Sequence, residues 1–379
     1  MMRRLICFAC TVAMALVLLC TPAAAQELNM LDLDSEPTIG TSSAAAVMDE
    51  FGNVLFSYNG DVELPMASIT KVMTAMVALD SGIPLDQELE FVYEEYPEGS
   101  QLAGYQIGDV VTFGELLRVM LIYSGNDAAT NVAYAVAGSK EAFADLMNQK
   151  AAEIGMEHTH FTNPHGLEEE GHHSTALDLL VMGRYAMEHY PFIRETVHTP
   201  SITIVANGQP VTLESTDHLM GTYEGLLGIK TGNTESGASF LGAACRNNVM
   251  LYSCVLCRDD SWGRFEDTAS LLDWAYGLYE QKALARSNWI LRVAPWQDGF
   301  WLRCPVSAQR DVTGYVFPDQ RVSYTTVQYK PNSLVAANST YGTTLWEQGE
   351  RSVGSVAYQT SRPQQSAAWN PIALPLFAA

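Results

Sequence analysis

Three short groups of residues carry the side chains that acyl transfer requires. The first is Ser68-Ile69-Thr70-Lys71. On a helix, residues three apart share a face, so Lys71 is expected to reach the Ser68 hydroxyl. A serine hydroxyl is a weak nucleophile until a neighbouring base takes its proton. An amine is a base only when neutral, and burial or a second nearby cation promotes that form. A helix N-terminus adds N–H groups that favour developing negative charge. Alone, S-x-x-K also reads as an N-cap serine beside a surface lysine. No other S-x-x-K occurs in this chain.

The second group, Ser124-Gly125-Asn126, begins 56 residues after Ser68. Its serine suits proton relay between the lysine and a leaving group, and its Asn can donate to a substrate amide carbonyl. Ser57-Tyr58-Asn59 fits the same pattern, so position between two helical segments is what marks Ser124. The third group, Lys230-Thr231-Gly232, begins 162 residues after Ser68. Lys230 offers positive charge to a substrate carboxylate and raises the cost of charging Lys71. Thr231 can hydrogen-bond the same carboxylate, and Gly232 permits close approach of a substrate backbone. Asn233 is positioned to supply one oxyanion N–H, with Ser68 supplying the other. The chain has six lysines, and two fall in these groups; a chance strand entry is the blander reading of the third.

Apolar periodicity predicts the elements that must position these residues. Helices are expected over 67–79, 113–122, 127–136, 140–154, 177–188 and 264–280. Hairpins are expected at Glu50-Phe51-Gly52 and at Asn247-Asn248, and 223–229 reads as a loop entering a strand. After about Lys282 helical patterns stop. Short β-like runs follow at 289–294, 300–306, 322–329, 333–337 and 352–358. The expected fold class is α+β: helices packed on an antiparallel sheet, a helical lobe carrying Ser124, then a small all-β domain.

The ordered set S-x-x-K, S-x-N, K-T-G is a slightly altered serine β-lactamase and penicillin-binding protein signature. The sequence resembles the low-molecular-mass penicillin-binding proteins that act as serine D-Ala-D-Ala carboxypeptidases. The resemblance extends through 65–74 around the nucleophile, 124–129 and 228–232. It includes Phe161-Thr162-Asn163-Pro164-His165-Gly166-Leu167 and His173-Ser174-Thr175-Ala176. Gly263-Arg264 and Leu271-Leu272-Asp273-Trp274 resemble the helix closing the catalytic domain. The C-terminal region resembles the family more loosely, around 345–349. The resemblance implies a β-lactamase/transpeptidase-like catalytic domain, with Ser68 as nucleophile, Lys71 as base and Lys230 as substrate clamp. It implies that Arg264 helps hold a terminal carboxylate. The substrates implied are peptidoglycan stem peptides ending in D-Ala-D-Ala, with β-lactams as inhibitors and no cofactor. Asn233 departs from the larger residue often found after K-T-G. A β-lactamase-type hydrolase and a catalytically silent peptidoglycan-binding protein are the alternative readings.

The rest of the chain bounds the setting. Arg3 and Arg4, the apolar run to Cys20 and Ala23-Ala24-Ala25 read as a signal peptide over 1–25, rather than as an uncleaved anchor or a lipoprotein signal at Cys20. The expected location is therefore extracytoplasmic, with a catalytic domain over 26–282, a β-domain over 283–362 and a tail over 363–379. Cleavage takes the net charge from −22 to −24, which disfavours nucleic acid and gains little from anionic lipid. The tail lacks basic residues and makes a poor interfacial helix, so membrane association has little support. Cys245, Cys254, Cys257 and Cys304 remain after cleavage and are expected to be buried thiols. Residues three apart on a strand face opposite ways, which disfavours a Cys254–Cys257 bridge. His158, His160, His165, His172 and His173 cluster, but no H-E-x-x-H or H-x-x-E-H is present, and no metal is expected. Glu168-Glu169-Glu170 is read as a solvated run rather than as a deacylating carboxylate.

Overall fold

The run Ala44-Ala45-Ala46-Val47-Met48 lacks polar alternation because its strand is covered on both faces. Ala44, Ala46 and Met48 enter one core and Ala45 and Val47 another, as the two-residue period of a strand requires. The computed structural model describes residues 28–92, 94–296, 299–318, 320–328 and 336–361. The expected signal at 1–25 and the tail at 363–379 lie outside them.

That strand, Ala44–Asp49, belongs to a six-stranded sheet. The order is Asn29–Met30, Asn53–Tyr58, Ala44–Asp49, Val249–Arg258, Gly237–Arg246, Leu226–Thr234. All pairings are antiparallel except that of the two-residue first strand. Both expected hairpins form. Asn247 and Asn248 turn theirs with φ of 53° and 63°, the left-handed pair that matches the twist of the flanking strands.

Seven helices are described: α1 (Thr70–Asp80), α2 (Phe113–Ile122), α3 (Asn126–Ala137), α4 (Lys140–Ile154), α5 (Ala176–His189), α6 (Pro191–Thr196) and α7 (Gly263–Gly277). Thr112, Ser139 and Thr175 cap α2, α4 and α5 by accepting a backbone N–H three residues on. Left-handed Gly138 and Gly155 end α3 and α4. Leu271, Leu272 and Ala275 of α7 bury one face of the sheet. On the other face, Leu179, Leu180 and Met182 of α5 join the core that extends into α1–α4. This is the α+β arrangement anticipated.

Several details differ from expectation. Helix α7 ends at Gly277, and Glu280 already opens the strand Glu280–Ala285. Lys230-Thr231-Gly232 does not open its strand but lies inside Leu226–Thr234, at the sheet edge. An unanticipated hairpin, Ser201–Ala206 with Gln209–Glu214, turns at left-handed Asn207 and Gly208. Among the described residues Cys245, Cys254, Cys257 and Cys304 are unpaired thiols, the last three buried as expected and Cys245 half-buried. Cys254 and Cys257, however, pack into the same core rather than on opposite faces. A register shift between Val255 and Arg258 puts Cys257 at φ 52°, and this bulge breaks the alternation.

Beyond α7 every described element is a strand. A five-stranded sheet runs Ile290–Trp296, Gly299–Ala308, Arg351–Thr360, Thr340–Gln348, Val322–Gln328, and Glu280–Ala285 pairs with Val312–Val316. Thr340–Gln348 and Val312–Val316 were not anticipated. Of the expected strand at 333–337, residues 333–335 lie outside the described residues, and Ala336 and Ala337 are not in a strand. Leu284, Val306, Trp346, Val356 and Tyr358 form a separate core. This part is tied to the first sheet by the Arg351 Nε–Glu50 ion pair at 3.0 Å and by Asn248 Nδ2 donating to the Ser352 carbonyl at 2.6 Å.

Candidate active site

Ser68 sits in a single 3₁₀ turn, Ala67–Ile69, that leads into α1. Ala67 just before it holds φ 53°, a conformation that costs a non-glycine residue energy and recurs at functional sites. The turn of helix separating Lys71 from Ser68 brings Lys71 Nζ to 2.8 Å from Ser68 Oγ. Lys71 also donates to Asn126 Oδ1 at 2.7 Å and to the His165 carbonyl at 2.6 Å. A neutral amine has two hydrogens and one lone pair. The two fixed acceptors take the hydrogens, and the lone pair is left for the serine hydroxyl. Lys71 is fully buried. Burial, reinforced by the charge of Lys230, holds its ammonium well below the usual lysine range, with Asp127 opposing.

Ser124 and Asn126 flank the junction of α2 and α3. Ser124 has φ 72°, so a second non-glycine residue near Ser68 is left-handed. Asn126 begins α3, and its N–H donates to the Gln101 carbonyl at 2.8 Å. Asp127 accepts from the Ala103 N–H, which ties the 99–103 loop to the same helix start.

The edge strand forms the opposite wall. A Cβ on Gly232 would lie 2.7 Å from the Ala67 Cβ and 3.1 Å from the Met66 carbonyl. The glycine is thus needed for the strand to approach the Ser68 turn. Lys230 is 2% exposed, and its Nζ donates to the Thr231 carbonyl at 3.0 Å. Burial, then Arg264, lowers its ammonium to about 7, with Asp217 opposing. Arg264 Nη1 donates to the Gly232 carbonyl at 2.7 Å.

A cleft of about 450 Å³ joins these walls, within the usual range for ligand sites. Ser68, Ser124, Asn126, Thr231, Gly232, Asn233 and Arg264 all line it. Lys71 and Lys230 lie behind its surface, next to Ser68 and Thr231. Sequence reasoning missed part of the lining: Gln101 from the loop before α2, and Thr216 and His218 from the segment after the unexpected hairpin. Thr216 and Thr231 share a hydrogen bond of 2.5 Å between hydroxyls. The Asn207-Gly208 pair between β-rich runs was the signal for that hairpin. A second cavity of about 460 Å³, lined by His198, Tyr223, Glu224 and Cys245 among others, contains none of the three motifs.

Two of the five clustered histidines, His165 and His172, serve the segment beneath Ser68. Thr162 N–H donates to His172 Nδ1 at 3.1 Å, so its Nε2 carries the hydrogen and faces Thr70 Oγ1 at 2.8 Å. Thr70 in turn donates to the Ala67 carbonyl, and Thr74 donates to the Pro164 carbonyl at 2.6 Å. His165 Nδ1 accepts from the Leu167 N–H at 3.2 Å. Burial pulls His172 down to about 4 and His165 to about 3, so both are neutral at physiological pH. Among the described residues no group of three or more His, Cys, Asp or Glu is arranged to hold a metal. Of the glutamate run, Glu168 and Glu169 are exposed but also tether the loop, accepting from Ser236 N–H and from Thr162 and Asn163 respectively.

A profile of the D-alanyl-D-alanine carboxypeptidase family matches residues 32–260, which contain all three motifs. The chain belongs to the D-alanyl-D-alanine carboxypeptidase family. It is an enzyme of the serine type. The D-alanyl-D-alanine carboxypeptidase DacF of Bacillus subtilis is 30% identical over 259 residues, covering 67% of each chain. A D-alanyl-D-alanine endopeptidase of Pseudomonas aeruginosa is 32% identical over 247 residues, 64% of this chain and 79% of that one. Among solved structures, penicillin-binding protein D2 of Listeria monocytogenes, in its cefotaxime-bound form, has a TM-score of 0.58 at 31% identity. It covers 63% of this chain and 98% of its own. The carboxypeptidase DacD of Francisella tularensis, at 22% identity, shares the fold over 90% of this chain and 98% of its own, with a TM-score of 0.63. Arg264 lies beyond the matched profile, so its place in the carboxypeptidase site rests on geometry.

Proposed function

We propose that this carboxypeptidase releases the terminal D-Ala of peptidoglycan stem peptides through an acyl-enzyme on Ser68, outside the cytoplasm. The observation that carries the reading is the Ser68–Lys71–Asn126 cluster, opening on a cleft whose other wall is the K-T-G strand. Ser68 Oγ attacks the carbonyl between the two D-alanines, and its proton passes to the Lys71 amine. The N–H groups of Ser68 and Asn233 receive the oxyanion. The C–N bond then breaks, and the D-Ala amine takes a proton relayed from Lys71 by the Ser124 hydroxyl. Water adds to the ester, its proton returns through Lys71, and the C–O bond to Ser68 breaks. Asn126 orients the peptide amide. Lys230, Thr231 and Arg264 supply charge and hydrogen bonds for the terminal carboxylate. The catalytic unit runs to the end of α7 and the β-unit starts at Glu280 rather than after 282, because the strand Glu280–Ala285 pairs with Val312–Val316; residues 1–25 direct export.

β-Lactams are proposed to acylate the same serine, in keeping with the cefotaxime-bound Listeria relative. Glu168 is engaged with the Ser236 N–H and does not line the cleft. Fast deacylation by a carboxylate of that run therefore has no support, which favours a carboxypeptidase over a β-lactamase. The Pseudomonas relative favours a second reading, cleavage of D-Ala-containing cross-links. The deciding assay offers purified protein a pentapeptide ending in D-Ala-D-Ala and, separately, a cross-linked dimer. Free D-Ala from the pentapeptide, lost by at least about a thousand-fold in Ser68→Ala, is the expected result. Equal D-Ala release by Ser68→Ala would refute the assignment.

A further inference from the structure

One end of the cleft is bordered by a row of rings that the reaction above does not use. Phe240 of the sheet and Phe265 of α7 are both buried and meet edge to face, with centroids 5.4 Å apart. Phe265 in turn meets Trp262 at 5.7 Å and His218 at 5.6 Å, again edge to face. The His218 and Trp262 rings lie 5.3 Å apart, tilted by 39°. His218 lines the cleft, and so does Arg264, two residues after Trp262. The row therefore runs from the core to the rim, beside the guanidinium assigned to the terminal carboxylate. At the rim Trp262 is 56% exposed. Scattered exposed apolar residues are ordinary. This one is held in place. Asp260 accepts the N–H groups of Trp262 and Gly263, each at 3.0 Å, and the Trp262 carbonyl accepts the Phe265 N–H at 3.0 Å. A fixed indole with half its surface in solvent, at the edge of a binding cleft, is suited to anchor a ligand.

We propose that Trp262, backed by His218, is a specificity-determining residue that binds the departing half of a cross-linked peptide, so that the enzyme opens cross-links as well as trimming free pentapeptide ends. This rests on the carboxypeptidase reading above. With the terminal carboxylate at Thr231 and Arg264, a departing D-Ala is complete: it ends there, its side chain is a methyl group, and nothing of it extends to the rim. In a cross-link the departing amine belongs to a residue of a second stem peptide, and that chain must continue out of the cleft. It leaves at the Arg264 end, where Trp262 stands. The indole offers it a broad apolar face and has only two side-chain torsions to fix. The chemistry is the same for both substrates. The acyl group passes to Ser68, the C–N bond breaks, and the departing amine, now on the second stem, takes the relayed proton. Trp262 thus changes which departing group is favoured, not how the bond is broken.

The test compares kcat and KM for a pentapeptide ending in D-Ala-D-Ala and for a cross-linked dimer, with wild-type protein, Trp262→Ala and Trp262→Phe. Trp262→Ala should lower kcat/KM on the dimer roughly five- to ten-fold, through a higher KM, and leave the pentapeptide within about two-fold of wild type. Trp262→Phe should keep most of the dimer activity. Thermal unfolding checks that each variant is folded, and if Trp262→Ala is not, Trp262→Gln replaces it. An equal loss on both substrates, or no loss on the dimer, would overturn the proposal. So would a wild type that releases D-Ala from the pentapeptide and leaves the dimer intact. A wild type that cleaves neither substrate would instead sink the carboxypeptidase reading.

Discussion

At the scale of single residues, the proposed mechanism turns on whether Lys71 is neutral. Its three neighbours are two fixed acceptors and one hydroxyl, an arrangement that suits an amine and leaves no anion at contact distance. Lys71→Arg keeps length and positive charge but cannot act as a base near neutral pH. Acylation by a penicillin should fall by at least about a hundred-fold in Lys71→Arg, while thermal unfolding shows a folded protein. Equal acylation rates would remove Lys71 from the mechanism. The Ser68–Lys71 contact and the K-T-G wall of the cleft were legible in the sequence because acyl-transfer chemistry restricts residue types at short spacing. The His165 contact was not, because Lys71 is held there by a backbone carbonyl, which carries no side-chain signature.

At the scale of elements, the loop of residues 161–174 supports the Ser68 turn. Gly166 has φ +88°, and a Cβ there would lie 2.0 Å from the Ala67 carbonyl oxygen. Gly166→Ala should cost about 2 kcal/mol or more in urea unfolding and reduce acylation, because the displaced atom belongs to the residue before Ser68. Unchanged stability would contradict this packing. The same loop should be acid-sensitive. His172 and His165 have folded pKa values below the ordinary value of 6.5. Below pH 6.5 the unfolded chain gains protons that the folded chain refuses. Stability contributed by these two rings is therefore complete above pH 6.5 and is lost as pH falls towards 4 and then 3. His172→Gln should flatten part of that decline in a Tm-versus-pH series. Helix positions were readable because caps and apolar period agree, as at Thr112, Ser139 and Thr175. The Cys254–Cys257 alternation was misread because the bulge arises from pairing with another strand. Such a feature is tertiary and leaves no local pattern.

At the scale of the whole molecule, the two sheets meet around Arg351. Its Nε pairs with Glu50, its Nη2 donates to Gln348 at 2.7 Å and its Nη1 to the Tyr315 carbonyl at 2.9 Å. Tyr279 and Phe317 stack edge to face beside it at 5.3 Å. Burial outweighs the ion pair and raises the Glu50 carboxyl to about 7. A raised folded pKa means the folded chain holds a proton that the unfolded chain has released. The contribution is greatest below pH 4.5 and is lost as pH rises towards 7. Glu50→Gln should therefore narrow the Tm difference between pH 5 and pH 8, and an unchanged difference would show that Glu50 is solvated. The all-β character after α7 was visible in composition. Strand order was not, because it depends on pairings such as Arg351–Thr360 lying between two other strands.

The proposed mechanism depends on the Ser68 hydroxyl being reactive. Intact-mass measurement after brief exposure to a penicillin, followed by peptide mapping, tests that directly. One adduct per chain, located on Ser68 and absent from Ser68→Ala, is the expected outcome. An adduct on another residue, or the same adduct in the variant, would contradict it.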